Sequence, residues 1–142
     1  MGFWIILLLG VAAVAYVRLA PSDPVRWHAR AKIEGTESKQ LKNGYIWRKV
    51  VSGDGAAELA ALDQAATAQG NTTRLAGSVA EGQTTYLSRT KVVGFPDYTT
   101  IGSYQMPDGQ TVIEAYGRLR FGGSDIGVNA KRIKGWVAAA QL

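Results

Sequence analysis

Two arginines and an aspartate near the C-terminus are the side chains of this sequence best suited to bind or act on a charged molecule. Arg118 and Arg120 are two residues apart in a strand-like segment, so both are expected on the same face of a sheet. A glycine pair at 122–123 follows, and Ser124 and Asp125 then begin a basic helix. Guanidinium groups bind carboxylates and phosphates through paired hydrogen bonds, and the free N–H groups of a helix start attract anions. The pattern predicts a corner of the fold that either binds an anion or is held together by ion pairs.

Further polar residues extend this candidate corner. Asn129 and Arg132 follow Asp125 at helical spacing, so these three side chains form one polar stripe. Arg89 and Asp97 lie in neighbouring strand-like segments. We favour a structural network, in which the aspartates pair with arginines and cap the helix, over ligand binding, and ligand binding over catalysis. The candidate ligand-binding residues are Arg89, Asp97, Arg118, Arg120, Asp125, Asn129 and Arg132.

Catalytic chemistry has little support in the residue types. The chain has one histidine, His28, and no cysteine, which excludes disulfides, thiol catalysis and zinc–thiolate sites. It contains no nucleophile-elbow or phosphate-loop motif. Asp97 and Asp125 among several arginines suit salt bridges better than a divalent ion. The sequence therefore predicts no metal and no cofactor and favours a non-enzymatic binding or scaffolding module. The alternative is an enzyme that acts on an anionic lipid or small molecule, with an arginine clamp and an aspartate as base.

The N-terminus predicts a membrane segment. Residues 2–17 form an unbroken apolar run, which spans roughly 24 Å as a helix, against a hydrocarbon core of roughly 30 Å. Leu19 and Ala20 extend that length if the Arg18 side chain reaches to the membrane surface. The small residues Ala13 and Ala15 would also suit a cleaved signal peptide, but no basic residue precedes the run. We favour a transmembrane anchor at residues 1–20, with the lipid bilayer as its partner.

Charge next to this anchor indicates its orientation. Arg18, Arg26, Arg30 and Lys32 all follow the apolar run, and none precedes it. The positive-inside rule then places the domain on the cytoplasmic side of a bacterial inner membrane, with the periplasmic side as the alternative. Residues 21–43 lack sustained periodicity and are interpreted as a linker, in which Trp27 is a candidate docking point. The net charge of +5 suits anionic lipid or a small anion. No nucleic-acid-binding signature accompanies it.

The remaining residues, 44–142, predict one α+β domain. A strand near 45–51 is followed by a helix that Asp54 caps and by four further strands, with a turn at 107–109. A final helix runs from Ser124 or Asp125 to Ala140. Short connections require an antiparallel sheet, so we expect about five strands in the order β-α-β-β-β-β-α, with two helices on one face. No segment remains to cover the other face, which is expected to be open.

Several short segments resemble a known family. They are residues 18–24 with the pair at 27–28, Ser88 with Arg89, residues 94–98 and residues 118–132. Together they are similar to the bacterial and plastid domain of unknown function 1499 family. Members of that family often carry a serine where this chain has Gly117. The resemblance implies a membrane-associated α+β domain and no established activity.

Overall fold

One antiparallel sheet and two covering helices form the body of the protein, which is described here by a computed structural model of residues 1–142. In chain order the elements are α1 (Gly2–Leu19), α2 (Pro24–Trp27), β1 (Lys39–Leu41), β2 (Gly44–Val51), α3 (Ala56–Thr67), β3 (Thr72–Ser78), β4 (Gln83–Arg89), β5 (Pro96–Gln105), β6 (Thr111–Leu119) and α4 (Val128–Ala139). The six strands lie in the order β1-β2-β6-β5-β4-β3. This arrangement confirms the predicted α+β class and antiparallel sheet.

The strand count is six rather than about five, and β1 is the strand that the sequence does not reveal. It has only three residues, too few for an alternating pattern to be recognised. It pairs with β2 across a tight turn, with Leu41 opposite Gly44. Just before it, the Ser38 hydroxyl accepts a hydrogen bond of 2.9 Å from the Arg48 amide. Pairing with β2, rather than any apolar pattern of its own, therefore forms β1.

Helices α3 and α4 pack on one face of the sheet and form the core with it. Gly55, rather than Asp54 as predicted, is the N-cap residue of α3, and the Asp54 carboxylate accepts a hydrogen bond from the Ala56 amide in the turn before the helix. The helix α4 begins at Val128, later than predicted, because Ile126 and Gly127 both have a left-handed backbone conformation. The buried core side chains are Leu59, Leu62, Ala65, Ala66, Tyr86, Ile101, Ile113, Ala115, Ile133 and Trp136.

Strand β6 alternates as the sequence predicts. Ile113 and Ala115 belong to the helix-covered core, so Glu114 and Arg118 project from the opposite face. The strand ends at Leu119, earlier than expected, and Arg120 therefore lies just beyond it. Strand alternation thus assigned the face of Arg118 correctly.

The face opposite the helices is covered, and the expectation of an open face is wrong. Residues 20–34, which we call the strap, cross this face. Ala20, Trp27 and Ala31 are buried in it. The Trp27 indole stacks on the Tyr98 ring, with 3.9 Å between centroids and 10° between planes. The proposed division of the chain at residues 20 and 43 stays a prediction, but the strap is packed on the sheet and does not extend freely into solvent.

Main-chain groups of the strap carry much of its attachment. The Trp27 carbonyl accepts a hydrogen bond from Arg118, and the Ile33 carbonyl accepts one from Arg48. The Ala31 amide donates to Glu114 Oε1 at 2.9 Å. Main-chain donors and acceptors are available at almost any residue type, so such contacts leave no pattern in the sequence.

Helix α1 is long and apolar enough to cross a membrane, a property that signal sequences share. It has 18 residues with a mean hydropathy of 2.1, and none of its residues is buried in the protein. Its last turn contacts the domain. Arg18 Nε and one of its terminal nitrogens donate to the Val93 and Val92 carbonyls at 2.9 and 2.6 Å. The Tyr16 and Phe121 rings meet edge to face at 6.0 Å, so the helix end is fixed to two loops of the domain.

Candidate functional site

The sheet separates the residues of the predicted corner, because they lie on its two opposite faces. In the β5–β6 ladder Asp97 is opposite Leu119, and the next pair is Tyr98 with Arg118. Because neighbouring positions of a strand point to opposite faces, Asp97 lies on the helix side and Arg118 lies on the strap side. The predicted residues therefore form one polar cluster beneath α4 and one basic region beneath the strap, while Arg89 belongs to neither.

The cluster beneath α4 contains Asp97, Asn129 and Arg132. Two Arg132 nitrogens each lie 3.3 Å from Asp97 Oδ2. Arg132 also donates to the Asn129 side-chain oxygen at 2.8 Å, and the side-chain amide nitrogen of Asn129 lies 3.5 Å from the same Asp97 oxygen. Burial raises the pKa of Asp97 above its ordinary value of 3.8, and the positive charge of Arg132 opposes that rise. These contacts join the start of β5 to α4.

Asp125 lies two residues before Gly127, the N-cap residue of α4, and binds the start of that helix. Its two carboxylate oxygens accept hydrogen bonds from the amides of Gly127 at 3.1 Å and Asn129 at 3.0 Å. A carboxylate at a helix start also interacts favourably with the helix dipole. No group of three or more His, Cys, Asp or Glu side chains is placed to hold a metal ion. The contacts of Asp97 and Asp125 are those of the structural network that the sequence favours.

Arg89 organises a loop. Its guanidinium donates to the Gly94 carbonyl at 2.9 Å. The Thr90 hydroxyl in the same loop accepts hydrogen bonds from the amides of Gly94 and Phe95. Arg89 therefore shapes the β4–β5 connection and does not reach the other arginines.

Arg118 is buried beneath the strap, with 7% of its surface exposed. It donates to the Thr100 hydroxyl at 3.0 Å, to the Tyr116 carbonyl at 3.1 Å and to the Trp27 carbonyl. Its guanidinium also lies 4.5 Å from the centre of the Tyr116 ring. None of these partners is a carboxylate, and burial lowers the pKa of Arg118. This charge is buried with dipoles and aromatic rings as neighbours, but without an ion-pair partner.

Glu114 lies on the same face of β6 but is already paired. One of its carboxylate oxygens is 2.7 Å from an Arg48 nitrogen, and both side chains are almost fully buried. Its other oxygen accepts the hydrogen bond from Ala31. Sequence reasoning did not single out Arg48, although the register of β2 and β6 places it directly opposite Glu114. Knowing which strands pair would have revealed it, because opposite charges are favourable cross-strand neighbours.

A cleft of about 470 Å³ opens between the strap and β6. Arg120 lines it and donates to the Pro21 carbonyl at 2.7 Å and to the Tyr98 hydroxyl at 3.2 Å. Tyr116, Trp27 and Asn43 are among its other lining residues, and no acidic side chain is among them. We call this the basic cleft, after its charged residues Arg26, Arg30, Lys32, Arg118 and Arg120.

A larger depression of about 580 Å³ on the helix side also has a basic lining. It includes Lys91, Lys131 and Arg132. Both lysines are exposed, and Arg132 is paired with Asp97. The positive charge there is hydrated or neutralised, whereas the basic cleft contains a buried and unpaired one.

Comparison with known proteins identifies a family without an assigned activity. A family model described as "Protein of unknown function (DUF1499)" matches residues 19–139. Among solved structures, an uncharacterised protein from Rhizobium leguminosarum is 13% identical, with 92% of this chain and 84% of that chain covered and a TM-score of 0.31. No curated protein matches the chain.

Proposed function

Since this chain belongs to the DUF1499 family, whose description states no activity, we propose a function from its geometry: a membrane-anchored, non-enzymatic module that binds an anion in the basic cleft. The observation that carries the proposal is the buried Arg118 guanidinium, which has no carboxylate partner. Removing a charge from water costs several kcal/mol, and the three hydrogen bonds of Arg118 do not fully offset that cost, because burial still lowers its pKa. Residues held in such an unfavourable electrostatic state concentrate at functional sites.

A phosphate or carboxylate fits this cleft best. Arg118 has five N–H donors, and its three hydrogen bonds leave donors available. Arg120 makes no ion pair either, and Arg26 lies over the Trp27 ring at 4.9 Å. Arginine binds planar or tetrahedral oxyanions through two parallel hydrogen bonds. An anion in the cleft would supply the charge that the protein does not provide.

The anion has two possible sources, a phospholipid headgroup or a free small molecule. Arg120 contacts Pro21, which follows the end of α1 by two residues, so the cleft lies close to where a membrane-spanning α1 would leave the bilayer. That proximity supports the headgroup. Placement of the domain on the cytoplasmic side of a bacterial inner membrane stays a prediction from the positive-inside rule.

The arrangement gives the enzymatic alternative less support. That alternative requires an aspartate beside the arginine clamp, but Asp97 and Asp125 lie on the other side of the sheet. The ring of His28 bonds to the Thr85 hydroxyl at 2.9 Å, and His28 does not line the cleft. The cleft therefore offers hydrogen-bond donors to an anion, but its lining has no carboxylate or imidazole that could act as a general base.

Thermal unfolding of the full chain in nanodiscs tests the proposal. Nanodiscs of phosphatidylcholine would be titrated with inorganic phosphate and compared with nanodiscs that contain phosphatidylglycerol. A ligand at a hundred times its dissociation constant stabilises a protein by about 2.7 kcal/mol, so Tm should rise measurably in at least one series. If phosphatidylglycerol raises Tm and added phosphate abolishes that rise, the headgroup is identified as the source of the anion.

Two cleft variants and one matched control make the test specific. Arg26→Gln and Arg120→Gln should fold and should lose most of the rise in Tm. Arg74→Gln removes an equal charge from an exposed pair with Asp63, away from the cleft, and should keep the rise. No rise with either anion, or an equal loss in the Arg74 variant, would show that the cleft is not a specific anion site.

A further inference from the structure

Four apolar side chains gather at the end of the domain that contacts α1. Val92 is 83% exposed, Phe95 is 39% exposed and Ile126 is 90% exposed. Phe121 is half-buried and meets Tyr16 of α1. They come from the β4–β5 and β6–α4 loops, and a depression of about 280 Å³ between the two loops is lined by Phe95, Phe121 and Ile126. We call Val92, Phe95, Phe121 and Ile126 the apolar rim.

The rim lies beside the last turn of α1. Arg18 binds the carbonyls of Val92 and Val93, and Tyr16 contacts Phe121. A helix of 18 residues is about 27 Å long, slightly less than the hydrocarbon core of about 30 Å. If α1 spans a bilayer, its last turn therefore cannot lie clear of the membrane surface. Side chains at the height of that turn lie at the boundary between lipid headgroups and acyl chains.

The backbone of Ile126 adds an independent observation. Its φ angle is +52°, a left-handed conformation that is strongly disfavoured for a β-branched residue. Glycine or asparagine would adopt it with less strain. The strained backbone costs free energy in any solvent, the exposed isoleucine side chain is unfavourable in water, and such backbone outliers cluster at functional positions. Contact with lipid accounts for the apolar side chain at this tip.

We propose that the apolar rim inserts into the interfacial region of the lipid bilayer, so that the domain rests on the membrane in one fixed orientation. The partner is the lipid surface. The inference rests on α1 spanning the membrane, as in the proposed function, but it does not depend on anion binding. Interfacial apolar side chains attach proteins to neutral as well as charged membranes, so the rim should insert without any anionic lipid.

Because the chain has no cysteine, single-cysteine variants can be labelled at one position each. Val92→Cys and Ile126→Cys report on the rim. Val50→Cys is the matched control, since Val50 is also an exposed valine, 44% exposed, and pairs with Val112 at the far end of the sheet. Leu8→Cys, in the middle of α1, reports whether the helix is in the bilayer.

The full chain, labelled with a fluorophore, would be reconstituted in phosphatidylcholine vesicles that carry a nitroxide quencher on the upper acyl chain. We expect at least threefold stronger quenching at the two rim positions than at Val50, with Leu8 also quenched by a deep-chain nitroxide. Rim positions quenched no more than Val50 would overturn the inference while leaving the anion proposal intact. Absence of quenching at Leu8 would overturn both the membrane span and the rim insertion.

A second measurement separates membrane contact from a protein interface. In vesicles that contain only this protein, rim quenching should be unchanged when the protein-to-lipid ratio is lowered tenfold. Quenching that rises on dilution would show that another protein copy covers the rim at the higher ratio and that the rim prefers this protein interface to lipid, and this result would also overturn the proposal.

Discussion

Replacement of Glu114 by glutamine is expected to lower the free energy of unfolding by about 3 kcal/mol, because it leaves the Arg48 charge buried without its partner. The two side chains are 2.7 Å apart, and 3% of the Arg48 side chain and 1% of the Glu114 side chain are exposed. Glutamine has nearly the same shape as glutamate and still offers an oxygen to the Ala31 amide. The loss should therefore arise from charge rather than from packing or from release of the strap.

Glu114→Ala separates the two contributions. It removes the ion pair and also the hydrogen bond to the strap, which adds about 1 kcal/mol, for a total loss of about 4 kcal/mol. For a chain of this size such a loss lowers Tm by roughly 10 °C. Chemical denaturation of the full chain in detergent micelles, followed by tryptophan fluorescence, measures both variants.

The control for this prediction is the exposed pair of Arg74 with Asp63, at 2.6 Å. Surface pairs contribute about 0.2–1 kcal/mol, so Arg74→Gln should change stability by no more than that. If Glu114→Gln lowers the free energy of unfolding no more than Arg74→Gln does, loss of the buried ion pair is not costly, and the reasoning from burial is refuted.

Three other predictions concern the strap and the cluster beneath α4. Trp27→Ala removes the indole stacked on Tyr98 and should cost about 3 kcal/mol, with limited trypsin digestion showing new cleavage within the strap. Asp125→Ala removes both hydrogen bonds from Asp125 to the start of α4 and should cost about 2 kcal/mol in chemical denaturation. The pKa of Asp97 is higher in the folded protein than its ordinary value of 3.8, so its ionisation destabilises the fold. The contribution of Asp97 should therefore raise stability as the pH falls from neutral through its folded pKa, and it should level off below 3.8.

Each of these predictions has its own control. Trp27→Phe keeps an aromatic ring on Tyr98 and should protect the strap from trypsin; equal cleavage in both variants would mean that stacking does not hold it. Asp125→Asn keeps a good capping side chain and should cost less than Asp125→Ala. For Asp97, the difference in unfolding free energy between wild type and Asp97→Asn, measured across pH, isolates its titration. If the wild type instead loses stability relative to Asp97→Asn as the pH falls, the predicted direction of the pH dependence is wrong.

The elements of the fold could be predicted because their residues repeat with a regular period. Alternation along β6 assigned Glu114 and Arg118 to the face away from the helices, and the apolar stripe of Ile133 and its neighbours predicted α4. For β5, the alternation of residue types does not show which side chains face the helices. Pro96 begins that strand and Asp97 is a buried polar residue, so its pattern does not show which face Asp97 occupies. The sequence consequently placed Asp97 and Arg118 in one corner, and the structure separates them.

The strap was missed for a different physical reason. It has a single buried aromatic anchor, Trp27, and many of its polar contacts with the sheet use main-chain groups, such as the carbonyls of Trp27 and Ile33 and the amide of Ala31. Such groups are common to all residues, so composition classed the segment as a linker. The buried pair of Arg48 and Glu114 was missed because its members are 66 positions apart and meet only when β2 pairs with β6.

The strap also sets an order of events during synthesis. Trp27 and Arg118 are 91 positions apart, and ribosomes add about 5–20 residues per second, so Trp27 emerges roughly 5–20 s before its partner exists. During that interval the nascent chain has an apolar anchor, an exposed indole and a run of positive charge, but no sheet to receive them. Closure of the domain is then a late step, in which the strap docks on the completed sheet.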